Sequence, residues 1–137
     1  MTTPPPDPWS ALRRHTAARI ALGRAGATVY VTGRTEDETK AAVPLPGTIH
    51  ATAAAVSAAG GMGIGVRCDH TDEKQAKAAV RRVIREQDRI DILVNNAGAT
   101  WGAPAEDYPL DAWDKVMNLN VRSIFLASQA VARASMI

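Results

Sequence analysis

Three short apolar runs alternate with helical segments along the chain, and this alternation restricts the class of fold. The runs span residues 28–32, 64–68 and 90–94, and each is followed by a glycine or a polar residue. Short apolar runs bounded in this way are typical of buried strands. Strands that alternate with helices form parallel βαβ units, whose right-handed crossovers give a doubly wound sheet with helices on both faces. We therefore predict an α/β fold built on a parallel sheet.

Capping residues and glycines mark the ends of the predicted helices. Serine, threonine and aspartate accept hydrogen bonds from the first helical turn, and glycine commonly follows the last turn. Four helices are predicted on this basis, the first two of which end before Gly26 and Gly60. The segments 34–47 and 99–110 are predicted loops. The predicted caps or first residues of the four helices are Ser10, Thr48, Thr71 or Asp72, and Asp111.

Length and composition exclude several classes of protein. The 137 residues suggest one domain after a flexible leader at residues 1–9, which contains four prolines. The net charge is +2 with both signs mixed along the chain, so nucleic-acid binding is not indicated. No apolar run approaches the roughly 18 residues of a membrane span, and the N-terminus lacks the pattern of a signal peptide. The single cysteine, Cys68, and the scattered histidines predict neither a disulfide nor a metal site, so a cytoplasmic protein is expected.

Motifs at the ends of the three runs resemble those of the short-chain dehydrogenase/reductase family. The sequence Asn-Asn-Ala-Gly at 95–98 follows the third run directly, and Asn-Leu-Asn-Val at 118–121 lies in the helix beyond it. Thr-Gly-Arg at 32–34 and Cys-Asp at 68–69 follow the first two runs in the same order and spacing. The resemblance covers about residues 18–137. It implies a partial Rossmann-like, doubly wound sheet in residues 10–137 and, for the family, hydride transfer between NAD(P) and a carbonyl or alcohol substrate.

The resemblance also implies a set of cofactor-binding residues at the carboxyl ends of the strands, where doubly wound sheets bind their ligands. Arg34 would match the 2′-phosphate of NADP, so NADP is favoured over NAD; the alternative is a solvated surface arginine. Asp69 would accept a hydrogen bond from the adenine amino group, although it could also be a helix cap or a turn residue. The implied cofactor-binding residues are Gly33, Arg34, Asp69, Asn95, Ala97 and Gly98.

Asn120 is the candidate catalytic residue. Helical spacing places it on a stripe of apolar residues that is predicted to be buried, and a buried amide needs hydrogen-bond partners. One interpretation is a core asparagine that binds a neighbouring backbone group. The resemblance implies the other and favoured one, an active-site asparagine that orders a water molecule in a proton relay. The apolar members of the stripe are Trp113, Val116, Met117, Ile124 and Ala127.

Two parts of the family pattern do not occur in this sequence. The Gly-rich turn that cradles the cofactor pyrophosphate would follow a strand and open a helix, whereas the glycine cluster at 60–65 follows a helix and opens a strand. The catalytic Tyr-x-x-x-Lys is also missing, because Tyr30 and Tyr108 are followed four positions later by Arg34 and Ala112. We therefore expect the isolated chain to be an inactive fragment, and whether it is itself an enzyme is left open.

The alternative function is a non-catalytic interaction or oligomerisation protein. In the family the first strand is central, and this sequence has no apolar run before residue 18 that would match it. The runs 28–32 and 90–94 would therefore each expose an unpaired edge, and marginal stability is expected. The long helix near the Asn-Asn-Ala-Gly motif commonly packs at a subunit interface in the family, and this implies a homo-oligomer. The expected partners are therefore a nicotinamide cofactor, a small carbonyl or alcohol substrate in the full-length family, and a second copy of the chain.

Overall fold

The computed structural model describes residues 10–37, 39 and 47–135. The predicted leader at residues 1–9 lies outside this part of the chain. Helix α1 spans Ser10–Arg24, strand β1 Thr28–Gly33, helix α2 Ile49–Ala58, strand β2 Met62–Arg67 and helix α3 Glu73–Gln87. A short 3₁₀ turn at Ala105–Asp107 precedes helix α4 at Leu110–Met117, a π-helical turn at Asn118–Arg122 and helix α5 at Ser123–Ser135. The four predicted helical segments are confirmed, and the last is continuous through its π-helical turn.

Strands β1 and β2 are neighbours in a parallel sheet. The carbonyl of Ala27 accepts from the Met62 amide (3.1 Å), and the carbonyl of Gly33 accepts from the Cys68 amide (2.8 Å). The partner residue therefore advances along β2 as the chain advances along β1, which is the pattern of a parallel pair. The predicted α/β class is confirmed.

The first of two compact units contains the described residues up to Val31 together with Thr35–Val66. Its buried apolar cluster consists of Val31, Ile49 and Ala53, with Val29 packed against it. The predicted cap Thr48 is confirmed, because its hydroxyl accepts from the Ala51 amide at 3.0 Å. Both glycines expected to follow helices adopt positive φ, 84° at Gly26 and 112° at Gly60, which is the conformation that favours glycine.

The second unit contains Thr32–Arg34 and the described residues from Arg67 onward. Asp72 caps α3, since its carboxylate accepts from the amides of Lys74 (2.8 Å) and Gln75 (3.2 Å). Helices α3 and α5 pack together within this unit. Small residues occupy the buried positions of α3, α4 and α5, which are Ala76, Ala112, Ser123 and Ala127. The assignment of all residues from 10 to 137 to one domain stays a prediction.

The predicted strand at residues 90–94 is wrong. This segment has no regular secondary structure, and its apolar side chains are exposed, 60% for Ile92 and 51% for Val94. A strand forms only when its backbone amides and carbonyls are hydrogen-bonded to a neighbouring strand. Among the described residues the sheet contains only β1 and β2, and neither of them pairs with residues 90–94. A local pattern of apolar residues cannot supply that neighbour.

The predicted buried stripe along the last helical segment is correct only in part. Ala127 is buried, but Trp113 is 52% exposed and Ile124 is 36% exposed. The buried positions include Ala112 and Ser123, which hydropathy does not single out. Close packing between helices favours small side chains at the contact, so the largest apolar residues of this segment lie outside it.

Candidate cofactor site

The carboxyl ends of β1 and β2 bring three of the predicted site residues together. The Cys68 amide donates to the Gly33 carbonyl at 2.8 Å and holds the two strand ends side by side. The next residues along each strand carry opposite charges, and Arg34 Nη1 lies 3.9 Å from Asp69 Oδ2. The Arg34 side chain is 61% exposed and that of Asp69 is 31% exposed. Gly33, Arg34 and Asp69 therefore form one group at the edge of the sheet, which we call the strand-end group.

The carboxylate of Asp69 is held in one orientation. Its Oδ1 accepts from the Thr71 amide (2.9 Å) and from the Thr71 hydroxyl (2.6 Å), and the Asp69 amide donates to Gln75 Oε1 (2.9 Å). The Thr71 hydroxyl is the main cause that lowers the pKa of Asp69 below its usual value; partial burial opposes it, and Arg34 adds a smaller lowering. The turn alternative for Asp69 is confirmed, and the helix-cap alternative is wrong because Asp72 caps α3.

His70 contacts Thr32 and Cys68, which directly precede residues of the strand-end group, and the sequence did not single it out as a site residue. Its Nε2 lies 2.9 Å from Thr32 Oγ1, and its Nδ1 lies 4.0 Å from the buried Cys68 Sγ. Burial lowers the pKa of His70, and Asp69 opposes this effect. Burial, with the charges of Asp69 and Asp72, raises the pKa of the Cys68 thiol to about 11. The available signal was the Cys-x-His spacing at the end of a strand, which places both side chains on one face.

The Asn-Asn-Ala-Gly segment and Asn120 form a second group. Asn120 Oδ1 accepts from the Ala99 amide at 2.8 Å, and its Nδ2 donates to the Ala99 carbonyl at 2.7 Å. A Cβ on Gly98 would lie 3.2 Å from Asn120 Oδ1, so glycine allows this close approach. Asn95 Nδ2 donates to Ser128 Oγ at 3.3 Å, while Ala97 is exposed.

The pair of hydrogen bonds from Asn120 is the arrangement expected of a core asparagine that binds a neighbouring backbone group. Its amide lies in the π-helical turn between α4 and α5, and such turns are frequent at functional sites. The active-site role that the resemblance implies for Asn120 stays a prediction.

The strand-end group has donors and acceptors that fit the adenosine end of a dinucleotide. An exposed guanidinium can donate to a phosphate or a ribose hydroxyl, and a fixed carboxylate can accept from an amino group. A cradle for the pyrophosphate is not found in the part of the chain that the structure describes, because the glycine cluster there ends α2 at Gly60 and begins β2.

Two other kinds of site find no support in residues 10–37, 39 and 47–135. Acidic, histidine and cysteine side chains do not gather there into a group that could hold a metal ion. Nor is any of the described helices both long and apolar enough to cross a membrane.

Comparison with known proteins identifies the family. A model of the short chain dehydrogenase family matches residues 14–137. Cyclopentanol dehydrogenase from Comamonas sp. (strain NCIMB 9872) is 36% identical over 110 residues, which are 80% of this chain and 40% of that protein. Hydroxysteroid dehydrogenase-like protein 2 from Homo sapiens is 36% identical over 117 residues, 83% of this chain and 27% of that protein. The chain belongs to the short-chain dehydrogenase family, so the resemblance stated from the sequence is confirmed.

Solved structures agree with this assignment. A short-chain type dehydrogenase/reductase from Mycobacterium marinum is 30% identical with a TM-score of 0.74, covering 87% of this chain and 43% of that chain. NADH-dependent reductase A1-R′ complexed with NAD is 28% identical with a TM-score of 0.71, covering 87% of this chain and 46% of that chain. The chain therefore spans less than half the length of these relatives.

Proposed function

We propose that this chain forms the adenosine-binding part of an NAD(P)-dependent oxidoreductase, with NADP favoured over NAD. The observation that carries the proposal is the strand-end group, in which an exposed Arg34 and a fixed Asp69 lie 3.9 Å apart at the ends of adjacent parallel strands. Ligands of doubly wound sheets bind at such carboxyl ends. The bound cofactor supplies a hydride acceptor or donor for an alcohol or carbonyl substrate.

The preference for NADP is inferred from the exposure of the Arg34 side chain and from its distance to Asp69. Its guanidinium is mostly exposed, and at 3.9 Å from Asp69 it lies beyond ordinary hydrogen-bond distance of that carboxylate. A planar guanidinium of this kind can donate two parallel hydrogen bonds to a phosphate, and its charge opposes that of the phosphate. Asp69 has a lowered pKa and so stays ionised at neutral pH, as an acceptor for the adenine amino group must.

The second group completes the proposed site. Ala97 and Gly98 have side chains small enough for a cofactor to approach their backbone, and Asn95 lies at the start of the same segment. The two hydrogen bonds of Asn120 hold Ala99, which follows that segment directly. These contacts support a role for Asn120 in positioning the segment beside the reacting groups of the active site.

A titration of the 137-residue chain with NADPH and NADH tests the proposal. We expect Arg34→Ala to weaken NADPH binding about tenfold, because a hydrogen bond to a charged group contributes about 1.5–3 kcal/mol before solvent screening, and to change NADH binding much less. The dissociation constants can be followed by quenching of tryptophan emission. Arg24→Ala is the matched control, since Arg24 is an exposed arginine at the end of α1. Equal losses for both cofactors, or for both variants, would contradict the role of Arg34.

We also propose that the 137-residue chain on its own does not turn over substrate. Proton transfer to a carbonyl needs an acid such as a tyrosine with a lysine nearby, and neither Tyr30 nor Tyr108 begins a Tyr-x-x-x-Lys. A panel of carbonyl compounds with NADPH should give a rate indistinguishable from that without protein. Steady-state oxidation of NADPH that depends on protein concentration would refute this expectation.

A second candidate function is self-association, in keeping with the homo-oligomer that the sequence predicts. The segment from α4 to α5 exposes several large apolar side chains, of which Phe125 is 61% exposed, with Leu110 and Val121 also in this set. Exposed apolar patches of this kind mark interaction surfaces. This candidate and the cofactor proposal are compatible, since the exposed apolar side chains lie on α4, the π-helical turn and α5 and none of them belongs to the strand-end group.

Phe125→Glu tests the association. A carboxylate at this position would be buried without a partner in an interface, so we expect the variant to sediment as a monomer where the unsubstituted chain sediments as a larger species. Ala132→Glu introduces the same charge at another exposed position of α5 and should leave the assembly unchanged. If the unsubstituted chain is monomeric across the accessible concentration range, self-association through this face is ruled out.

A further inference from the structure

His70 joins the ends of the two strands through its side chain. The ring follows β2 by three residues, yet its Nε2 lies 2.9 Å from the hydroxyl of Thr32 in β1. Thr32 precedes Gly33 and Arg34, and Asp69 precedes His70. The backbone bond from the Cys68 amide to the Gly33 carbonyl makes a second link between the same two strand ends. The side-chain link and the backbone link therefore hold the residues that lead into Arg34 and Asp69.

The surroundings of the ring favour one neutral tautomer. Burial keeps the ring neutral by lowering its pKa; the facing charge is that of Asp69, which opposes the effect, and Arg34 lies beyond Asp69. The Cys68 thiol retains its proton at neutral pH, because its pKa is about 11. A protonated thiol 4.0 Å from Nδ1 is a weak donor, which favours Nδ1 as the acceptor and the ring proton on Nε2. In that tautomer Nε2–H donates to Thr32 Oγ1 at 2.9 Å.

We propose that His70, as its neutral Nε2–H tautomer, is a positioning residue that sets the separation of Arg34 and Asp69 for the adenosine half of the cofactor. This inference rests on the proposed function, because it assigns a role within the same site. His70 itself does not contact the cofactor in this role. It acts through Thr32 on the loop that carries Arg34, and through the chain on Asp69.

The tautomer is tested without any cofactor. In a ¹⁵N spectrum of the imidazole rings of the 137-residue chain, we expect the His70 Nε2 to show the shift of a protonated nitrogen and Nδ1 that of an unprotonated one. Because burial lowers its pKa, His70 should remain mostly neutral at pH 6.5, where an unperturbed histidine is half protonated. A proton on Nδ1, or half-protonation of His70 at or above that pH, would overturn the proposal.

The positioning role is tested with adenosine 2′,5′-bisphosphate, which carries the adenosine with its 2′- and 5′-phosphates and lacks the nicotinamide half of the cofactor. We expect Thr32→Val and His70→Leu each to weaken its binding about tenfold, and the double variant to bind no more weakly than either single one, because both remove the same link. His50→Leu is the matched control and should bind as the unsubstituted chain does. Far-ultraviolet circular dichroism establishes that each variant is folded.

The outcomes separate this proposal from the one on which it rests. Losses that add in the double variant, or binding that is unchanged in both single variants, would overturn the role of His70 while leaving the cofactor proposal intact. No binding of the bisphosphate or of NADPH by the folded, unsubstituted chain would contradict the cofactor proposal and the role of His70 together. If His70→Leu does not fold, Thr32→Val and the tautomer measurement still decide the matter.

Discussion

Gly63→Ala is expected to lower the free energy of unfolding of the first unit by about 3 kcal/mol or more, the upper range for overpacking. A Cβ built on Gly63 would lie 1.9 Å from the Ala53 carbonyl oxygen, and 2.6 Å and 2.8 Å from the carbonyl carbon and Cα of the same residue. These are backbone atoms in the middle of α2, so no side-chain rotation can relieve the clash. Helix α2 would have to move away from β2, which would disturb the packing of its Ile49 and Ala53 against Val31 in the apolar cluster.

Urea unfolding followed by circular dichroism measures the effect, and Gly102→Ala is the matched control. A Cβ on Gly102 meets no atom within 4 Å, and its φ lies outside the region that excludes other residues, so the same added methyl group should change stability by no more than about 0.5 kcal/mol. Equal midpoints for the two variants would show that α2 does not approach β2 as closely as the structure has it. A large loss for Gly63 alone would establish that approach.

The helices of this chain could be predicted because their signals are local. Thr48 caps α2 through a hydrogen bond to a residue three positions away, and Gly26 and Gly60 follow their helices with positive φ. The family motifs likewise identified the family, because they combine particular residues in a fixed order along the chain. Helix caps and helix-ending glycines are determined within a few residues, so the sequence is sufficient to predict them.

The errors arose where a distant residue decides the outcome. Residues 90–94 have the composition of a strand, but a strand also needs a neighbouring strand to pair with. The local pattern of residues does not show whether such a neighbour is present. Trp113 was placed on a buried stripe because of its hydropathy, whereas close packing buries Ala112 instead. Helical periodicity identifies a face, but the size of the residues at the contact determines which positions of that face are buried.

The candidate site was predictable in its charged residues and not in what orients them. Arg34 and Asp69 were singled out because the family resemblance implies cofactor contacts directly after these strands, and the structure brings the two side chains to 3.9 Å. The hydrogen bond between Thr32 and His70 joins residues 38 positions apart, and the Cys-x-His spacing that marks His70 does not identify its partner. Thr71, which fixes the Asp69 carboxylate, was considered only as a helix start.

Asn120→Ala is expected to lower the free energy of unfolding by about 2–3 kcal/mol, because it leaves both the amide and the carbonyl of Ala99 without a partner in a half-buried place. Asn95→Ala is the matched control, because it removes the same side-chain amide from an exposed residue whose hydrogen bond to Ser128 is long, at 3.3 Å. We expect the control to lose no more than about 0.5 kcal/mol in the same urea titration. Similar losses from the two variants would mean that Asn120 does not hold Ala99.

Asn120→Asp distinguishes the paired hydrogen bonds from simple filling of space, since it keeps the shape of the side chain. An ionised carboxylate can accept from the Ala99 amide, but its other oxygen would then face the Ala99 carbonyl, where the native Nδ2 donates at 2.7 Å.

The folded chain would bind a proton on that oxygen more tightly than the unfolded chain does, which raises the pKa of the new carboxyl group. The variant should therefore be destabilised relative to the unsubstituted chain at pH 7. This difference should shrink as the pH falls through the raised pKa toward the usual carboxyl value of about 4, below which both states are protonated. Unfolding titrations of both chains at several pH values give the difference directly, and a difference that does not vary with pH would refute the paired arrangement.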